Sequence, residues 1–503
     1  MSRLKILPVF LLIPFAFTTF WSPTPQAQVC ESKEPHLALQ YLRRLSLDLR
    51  GYLPTPNEAK EVIKAQKVPE KMIDTMLDSP ELLKQLRDYH RDLLWANIGT
   101  LSFDNDWRIN KGNGKDQPYW SSYTAELMGR PDTSCLDKPA EFKDGKPVTT
   151  CSTNKEGTKV CQEGYVMVKP YYAPDTEVKV CAFDAQGRCG KNLEKCQVDN
   201  AKTQQTITKS LINQLVMYAE SLYKSKRPYT DLITAKDMYV NGPLSHFMRH
   251  QMNTLDGISV GDMNIKGDIP VVAFHKQEEW KSVDRGTLHS GILTMPAYLL
   301  RFASNRGRAD RFYNSFLCKP FQAPPGGLPP GQDTCHKEPN LQKRCGCKYC
   351  HATLEPAAAH WGRWLQSGIN ALDLKKFQSF NESCAGSRVD RDKCKHYFTK
   401  PSHPDEERYR GYLKSYLFLT DRMRKNVDEG PIRLAKQSIE SGAFSTCATQ
   451  QLWTWFSGTN NLHKDTIQEI AGAFKGSKYS MRTLIKTIVT RPEYRLGRLH
   501  TSN

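Results

Sequence analysis

Cys345-Gly346-Cys347-Lys348-Tyr349-Cys350-His351 places three cysteines and a histidine within seven residues. Cys347, Cys350 and His351 stand at i, i+3 and i+4, positions that share one side of a single helical turn. The run therefore reads as the start of a helix presenting two sulfurs and an imidazole together. Upstream, Ala323-Pro324-Pro325-Gly326-Gly327-Leu328-Pro329-Pro330-Gly331 cannot continue a helix and is predicted to be an extended connection. Further out, apolar residues recur at helical spacing: Leu37, Tyr41, Leu42, Leu45 and Leu49 before Gly51 and Pro54, then Leu82, Leu86, Tyr89 and Leu93 after the start signal Ser79-Pro80-Glu81. Thr55-Pro56-Asn57-Glu58 has the pattern of a helix cap. Ile207, Leu211, Leu215, Tyr218 and Leu222 continue the spacing, as do Leu452, Trp455 and Phe456, then Ile467, Ile470 and Phe474, and finally Met481, Leu484, Ile485 and Ile488. The expected fold is mainly α.

One region breaks the pattern. Between Gly112 and Asp199 the chain turns to Gly, Asp, Lys and Cys, and Tyr165-Val166-Met167-Val168 with Val178-Lys179-Val180-Cys181 are strand candidates. This is expected to be a disulfide-rich insertion holding a small β-hairpin. The expected segments are a leader at 1–27, an N-terminal helical domain at 28–111, the insertion at 112–199, a central helical domain at 200–316, a proline-rich connector with the Cys347 segment at 317–374, a charged helical segment at 375–446 and a C-terminal helical domain at 447–503.

The leader has Arg3 and Lys5, an apolar stretch from Ile6 to Phe20 of about 15 residues, and Pro25-Gln26-Ala27 as a cleavage site, which is the layout of a secretory signal. That stretch is short for a membrane span. The mature protein is expected in the periplasm or on the outer cell surface, not transmembrane. A lipid anchor on Cys30 is the rival, although Ala27-Gln28-Val29 matches a lipidation site poorly. Fifteen cysteines in an exported chain suggest disulfides. Setting Cys347 and Cys350 aside leaves six between Cys135 and Cys196, the six Cys318, Cys335, Cys345, Cys384, Cys394 and Cys447, and an odd Cys30. Six bridges fit that parity, with connectivity open; a Cys318 to Cys335 bridge would shorten the connector. The insertion, with three of the bridges, is expected to be a separable module. A formal net charge of +18 favours acidic partners, while the lack of a basic-aromatic motif argues against nucleic acid.

Cys-x-x-Cys-His is the spacing of covalent haem c attachment, with the two thiols on the vinyl groups and His351 as proximal iron ligand. It occurs once, so one haem is expected. Two other uses stay open. Cys345, Cys347, Cys350 and His351 are donors that zinc prefers, although four ligands so close together are cramped. The two thiols could also form a structural or redox disulfide, but no thioredoxin-like strand pattern precedes them.

The stretch from Cys347 through Ala352-Thr353-Leu354-Glu355-Pro356 to Trp361-Gly362-Arg363-Trp364 resembles the haem-binding segment of planctomycete-type cytochrome c domain proteins, an exported bacterial group. Arg43 to Pro56, Arg227-Pro228-Tyr229 to Leu244, Gly291 to Pro296 and Ser480 to Tyr494 are similar to other parts of that group, whereas Cys135–Cys196 and Lys375–Glu429 depart from it. The resemblance implies a cytochrome and no particular reaction.

The sixth iron position separates electron transfer from peroxide or oxygen chemistry. Met295, in the Leu-Thr-Met-Pro stretch of the family-like region, is the first candidate, His360 the alternative and His289 the third. Trp361, Trp364 and Tyr349 are expected against the macrocycle, with the proline connector as a lid. The expectation is a mono-haem carrier of single electrons between redox partners; a haem peroxidase or oxidase with an open distal site, and a structural subunit of an envelope electron-transfer complex, are the alternatives. No Ser-His-Asp set, phosphate loop or paired-carboxylate pattern supports hydrolysis or phosphoryl transfer.

Overall fold

The computed structural model describes residues 35–96, 135–183 save 154, 156 and 158, then 189–194, 200–251, 268–321, and 334–495 save 367 and 387. The leader at 1–27, Cys30, Cys196 and the proline run from Ala323 to Gly331 lie outside the described residues.

Four helices open the fold: α1 (Pro35–Arg50), α2 (Pro56–Ala65), α3 (Glu70–Leu77) and α4 (Pro80–Leu94). The cap pattern before α2 is realised as a reciprocal box, Thr55 Oγ1 accepting from the Glu58 N–H and the Glu58 carboxylate accepting from the Thr55 N–H at 2.7 Å. Ser79 Oγ starts α4 by accepting from the Leu82 N–H at 3.3 Å.

Among the described residues the insertion contains three antiparallel hairpins rather than one. β1 (Phe142–Lys143) pairs with β2 (Lys146–Pro147), β3 (Thr150–Thr153) with β4 (Lys159–Gln162), and β5 (Tyr165–Val168) with β6 (Val178–Cys181). The expected hairpin is β5–β6, with Tyr165 opposite Cys181 and Val168 opposite Val178. The other two are silent in the sequence because β3 is exposed along its whole length and carries no in-out alternation. Cys151–Cys161 joins directly opposed residues of β3 and β4, Cys135–Cys181 fastens β6, and Cys189 is also disulfide-bonded. Val168, Val180 and Leu193 are buried in the main core, so the insertion is docked on the helices rather than separable from them.

After α5 (Asn200–Lys224), the central region adds an unforeseen antiparallel pair, β7 (Asp237–Val240) with β8 (Lys281–Asp284). Then come α6 (Pro296–Arg301), α7 (Asn305–Leu317) and α8 (Lys348–Ala358), the helix begun by the Cys347 motif. The charged segment corrects the sequence reading. Among the described residues from Lys375 to Thr420 its helical elements are short 3-10 turns, at 382–384, 404–409 and 414–416. A satellite core of Cys384, Cys394, Tyr397, Leu413 and Tyr416, closed by the Cys384–Cys394 bridge, replaces a helical stripe there. Helix returns at α9 (Asp421–Glu440), followed by α10 (Ala443–Ser457), α11 (Lys464–Gly476) and α12 (Met481–Thr490).

The main core runs from Tyr41 in α1 to Tyr494 beyond α12. The two ends of the described chain meet in it: Tyr41 OH donates to Val489 O at 2.8 Å, and Tyr494 OH donates to Asp48 Oδ2 at 2.6 Å. Cys318 is bridged to Cys447, not to Cys335, which pairs with Cys345. The first bridge ties the end of α7 to α10, because those helices pack together and bring residues 129 apart in sequence within bonding range. We expect Cys318→Ser with Cys447→Ser to lower the guanidinium unfolding free energy by about 4 to 5 kcal/mol, the loop-entropy value for a closure of that length.

His90 is buried, its Nδ1–H donating to Leu86 O at 2.6 Å while its Nε2 accepts from Tyr229 OH at 3.1 Å. Burial holds the imidazoles of His90, His360 and His396 down to about 4. The unfolded chain takes up these protons near 6.5, so between 6.5 and 4 it binds more protons than the folded chain. Stability should be complete above that window and fall as the pH drops through it. The slope of unfolding free energy against pH, measured by denaturant titration, should shrink by up to one proton in His90→Gln.

Candidate functional site

Gly346 adopts φ of 70°, a conformation that glycine takes without penalty, and so turns the chain out of the loop closed by Cys335–Cys345 and into α8. The His351 N–H donates to Cys347 O at 2.9 Å and the Cys350 N–H to the same carbonyl at 3.2 Å. Cys347, Cys350 and His351 thus occupy one turn, as their spacing requires. Cys347 and Cys350 are thiols outside the disulfides, each partly buried. Cys345 is spent in its bridge, which removes one donor from the four-ligand zinc set.

A glutamate that sequence reasoning passed over completes this turn. His351 Nδ1 lies 2.5 Å from Glu355 Oε1. An ionised carboxylate only accepts, so the proton sits on Nδ1 and the Nε2 lone pair is left for a metal. Glu355 Oε1 also accepts from Arg306 Nε of α7 at 2.6 Å. The exposures are 19% for His351, 16% for Glu355 and 53% for Arg306, so the acid and imidazole are sheltered while the arginine reaches in from solvent. The signal available in the sequence was the position of Glu355, one helical turn after His351.

Beside this face runs a cleft of about 360 Å³. Glu355, Ala358, Ala359 and Gly362 form its α8 side, and Asn340, Gln342, Leu417, Phe418 and Leu419 line it with Arg306 and Lys414. Glu355, Ala358, Ala359 and Gly362 follow His351 at helical spacing, so the imidazole and the cleft belong to the same side of the helix.

The segment after α8 is held by α9, which runs parallel to it. Asn426 Nδ2 donates to Pro356 O at 3.1 Å and, four residues on in both helices, His360 Nδ1–H donates to Gly430 O at 2.9 Å. Gly430 leaves the helical conformation at φ 70° ahead of Pro431, which frees its carbonyl for that bond. Arg363 continues the attachment with Asp428 at 2.7 Å.

The sequence candidates are distributed unevenly. His360 is buried nine residues past His351, about 13 Å along the helical rise. Met295 is completely buried in the main core. Its segment is tied to Trp361, whose indole N–H donates to Leu293 O at 3.1 Å, ten residues beyond His351 and about 15 Å along the rise. His289 is buried edge-on to Trp364, with ring centroids 5.3 Å apart, and contacts Arg285. Trp361 and Trp364 are core residues, Trp361 stacking with Tyr298, whereas Tyr349 is 55% exposed. The structure gathers Cys347, Cys350, His351 and Glu355, and it packs Met295 and His360 toward the far end of the same helix.

No protein family, curated protein or solved structure matches the chain.

From this placement we expect Met295 and His360 to act as packing residues. We expect Met295→Ala to cost about 2 to 5 kcal/mol of stability and to leave the visible spectrum of the purified protein unchanged. A spectral change on this substitution would return Met295 to the metal.

Proposed function

We propose that the protein is an exported mono-haem c-type cytochrome that passes single electrons between partners outside the cytoplasm. The observation that carries this reading is the first turn of α8, where two thiols outside the disulfides stand with an imidazole whose Nδ1 is engaged and whose Nε2 is available. This donor set fits haem c. Each thiol would add across one vinyl double bond, sulfur to one carbon and hydrogen to the other, and His351 Nε2 would ligate the iron. When bound, the haem supplies reversible one-electron Fe(III)/Fe(II) chemistry. His351 fixes the metal's position, Glu355 fixes the ring of His351, and Leu417, Phe418 and Leu419 in the adjoining cleft limit access of water.

Other features support the setting. The disulfides are of the kind that persist in oxidising compartments, and among the described residues no helix is long and apolar enough to cross a membrane. The leader-like residues 1–27 agree with a periplasmic or cell-surface location, and the net charge of +18 suits redox partners with acidic docking surfaces. The resemblance to the planctomycete-type group agrees with a haem-bearing exported protein.

A second reading is peroxide chemistry at an open iron, with which the polar side chains Asn340 and Gln342 in the cleft lined by Glu355 are compatible. The ferric spectrum separates the two readings: low-spin for a closed carrier, high-spin for the open site.

The main reading is tested by chemistry that breaks coordination and spares thioethers. Acid-acetone treatment of the protein expressed with its leader in a host that matures c-type cytochromes should leave one haem on the chain, and Cys350→Ala should leave a single thioether with poor holoprotein yield. Complete extraction of colour from the wild type would overturn the assignment.

A further inference from the structure

The carboxylate on His351 has a partner of its own, and the two contacts converge on one atom. Glu355 Oε1 is 2.5 Å from His351 Nδ1 and 2.6 Å from Arg306 Nε. α7 and α8 pack directly against each other, so Arg306 is delivered by a neighbouring helix rather than by a loose loop. A carboxylate on the outer nitrogen of a metal-bound imidazole fixes its tautomer and orientation and makes the inner nitrogen a stronger donor. A cation on the same carboxylate oxygen draws that negative charge away.

We infer that Glu355 and Arg306 form an opposed pair of positioning residues that set the reduction potential of the iron held by His351, Glu355 lowering it and Arg306 raising it. The inference rests on the haem reading above. Electron density given by Glu355 through the imidazole stabilises Fe(III) over Fe(II), since hydrogen bonding around an axial ligand is one of the levers on potential. Arg306 moderates the donation. Because its side chain is half exposed, solvent screens it and its effect is the smaller of the two.

The test is redox titration of full-length holoprotein. Glu355→Gln keeps an acceptor for the Nδ1–H and removes the charge; at a fixed ambient potential it should raise the reduced-to-oxidised ratio at least tenfold, an upward shift of about 59 mV for one electron. Arg306→Gln should shift the ratio the opposite way by a smaller factor. Glu355→Asp, charged but one methylene shorter, should recover part of the wild-type value. A merely structural role for the pair does not move the potential in opposite directions in the two variants.

Failure of the two readings looks different. Wild-type protein without covalent haem overturns the cytochrome assignment and this inference with it. Haem-loaded Glu355→Gln with an unchanged potential overturns this inference alone. If Glu355→Gln yields no holoprotein, Arg306→Gln decides: a lowered potential supports the opposed pair, and an unchanged or raised one rejects it.

Discussion

Arg308 of α7 is a cation buried entirely within protein, and carbonyl groups rather than a carboxylate take up its hydrogen bonds. Its Nε donates to Phe302 O at 2.9 Å, its Nη1 to Asn305 Oδ1 at 3.0 Å, and its Nη2 faces Leu299 O, Leu365 O and Gly368 O at 3.2, 2.9 and 3.2 Å. Burial lowers its pKa to about 9, still high enough to keep the charge at neutral pH. An uncompensated guanidinium would be very costly in such a place. It is tolerated because the end of α6, the start of α7 and the turn after α8 all aim carbonyl or amide oxygens at it. Those segments cannot separate without leaving both the cation and buried acceptors unsatisfied.

That constraint reaches the candidate site. Arg306 and Arg308 lie two residues apart on α7 and grip opposite ends of the α8 region: Arg306 meets Glu355 in the helix itself, and Arg308 holds Leu365 and Gly368 beyond it. The α7–α8 register is therefore fixed at two points. The contact at Glu355 is partly exposed and adds little to stability. Its importance is chemical, because the oxygen that Arg306 touches is the one that touches His351. The buried arginine supplies the rigidity that lets the exposed one act at a defined distance.

The helices were legible because one face of each is buried: Leu42, Leu45 and Leu49, or Leu484, Ile485 and Ile488, repeat with the helical period and sit in the core. The Thr55 and Ser79 caps were readable for the same local reason. Where burial is not periodic, legibility ended. β3 and β4 are held by the Cys151–Cys161 cross-link rather than by an apolar face, and Lys375 to Thr420 is organised by Cys384–Cys394 and scattered aromatics. In the site, the Cys347, Cys350 and His351 turn followed from spacing alone. Glu355 was within reach of the same argument, since it stands at i+4 from His351. Arg306 was not, because only the packing of α7 on α8 brings it there. Met295 shows the opposite limit: a methionine in an apolar stretch has the same sequence signature whether it fills a core or faces a metal.

The cysteines follow a rule that parity could not supply. Cys151–Cys161, Cys335–Cys345 and Cys384–Cys394 each close a ten-residue separation, whereas Cys135–Cys181 and Cys318–Cys447 span 46 and 129. Short closures are entropically cheap and form between neighbours before distant partners meet. This matters most for Cys345, only two residues from Cys347, where a mispaired bridge would consume a thiol of the motif. Pairing Cys345 locally with Cys335 removes it as a competing thiolate, so that Cys347 and Cys350 are the thiols left in the motif. The same bridge closes the loop that Gly346 turns into α8. One local disulfide thus both accounts for the third cysteine of the motif and sets the start of the helix that presents the other two beside His351.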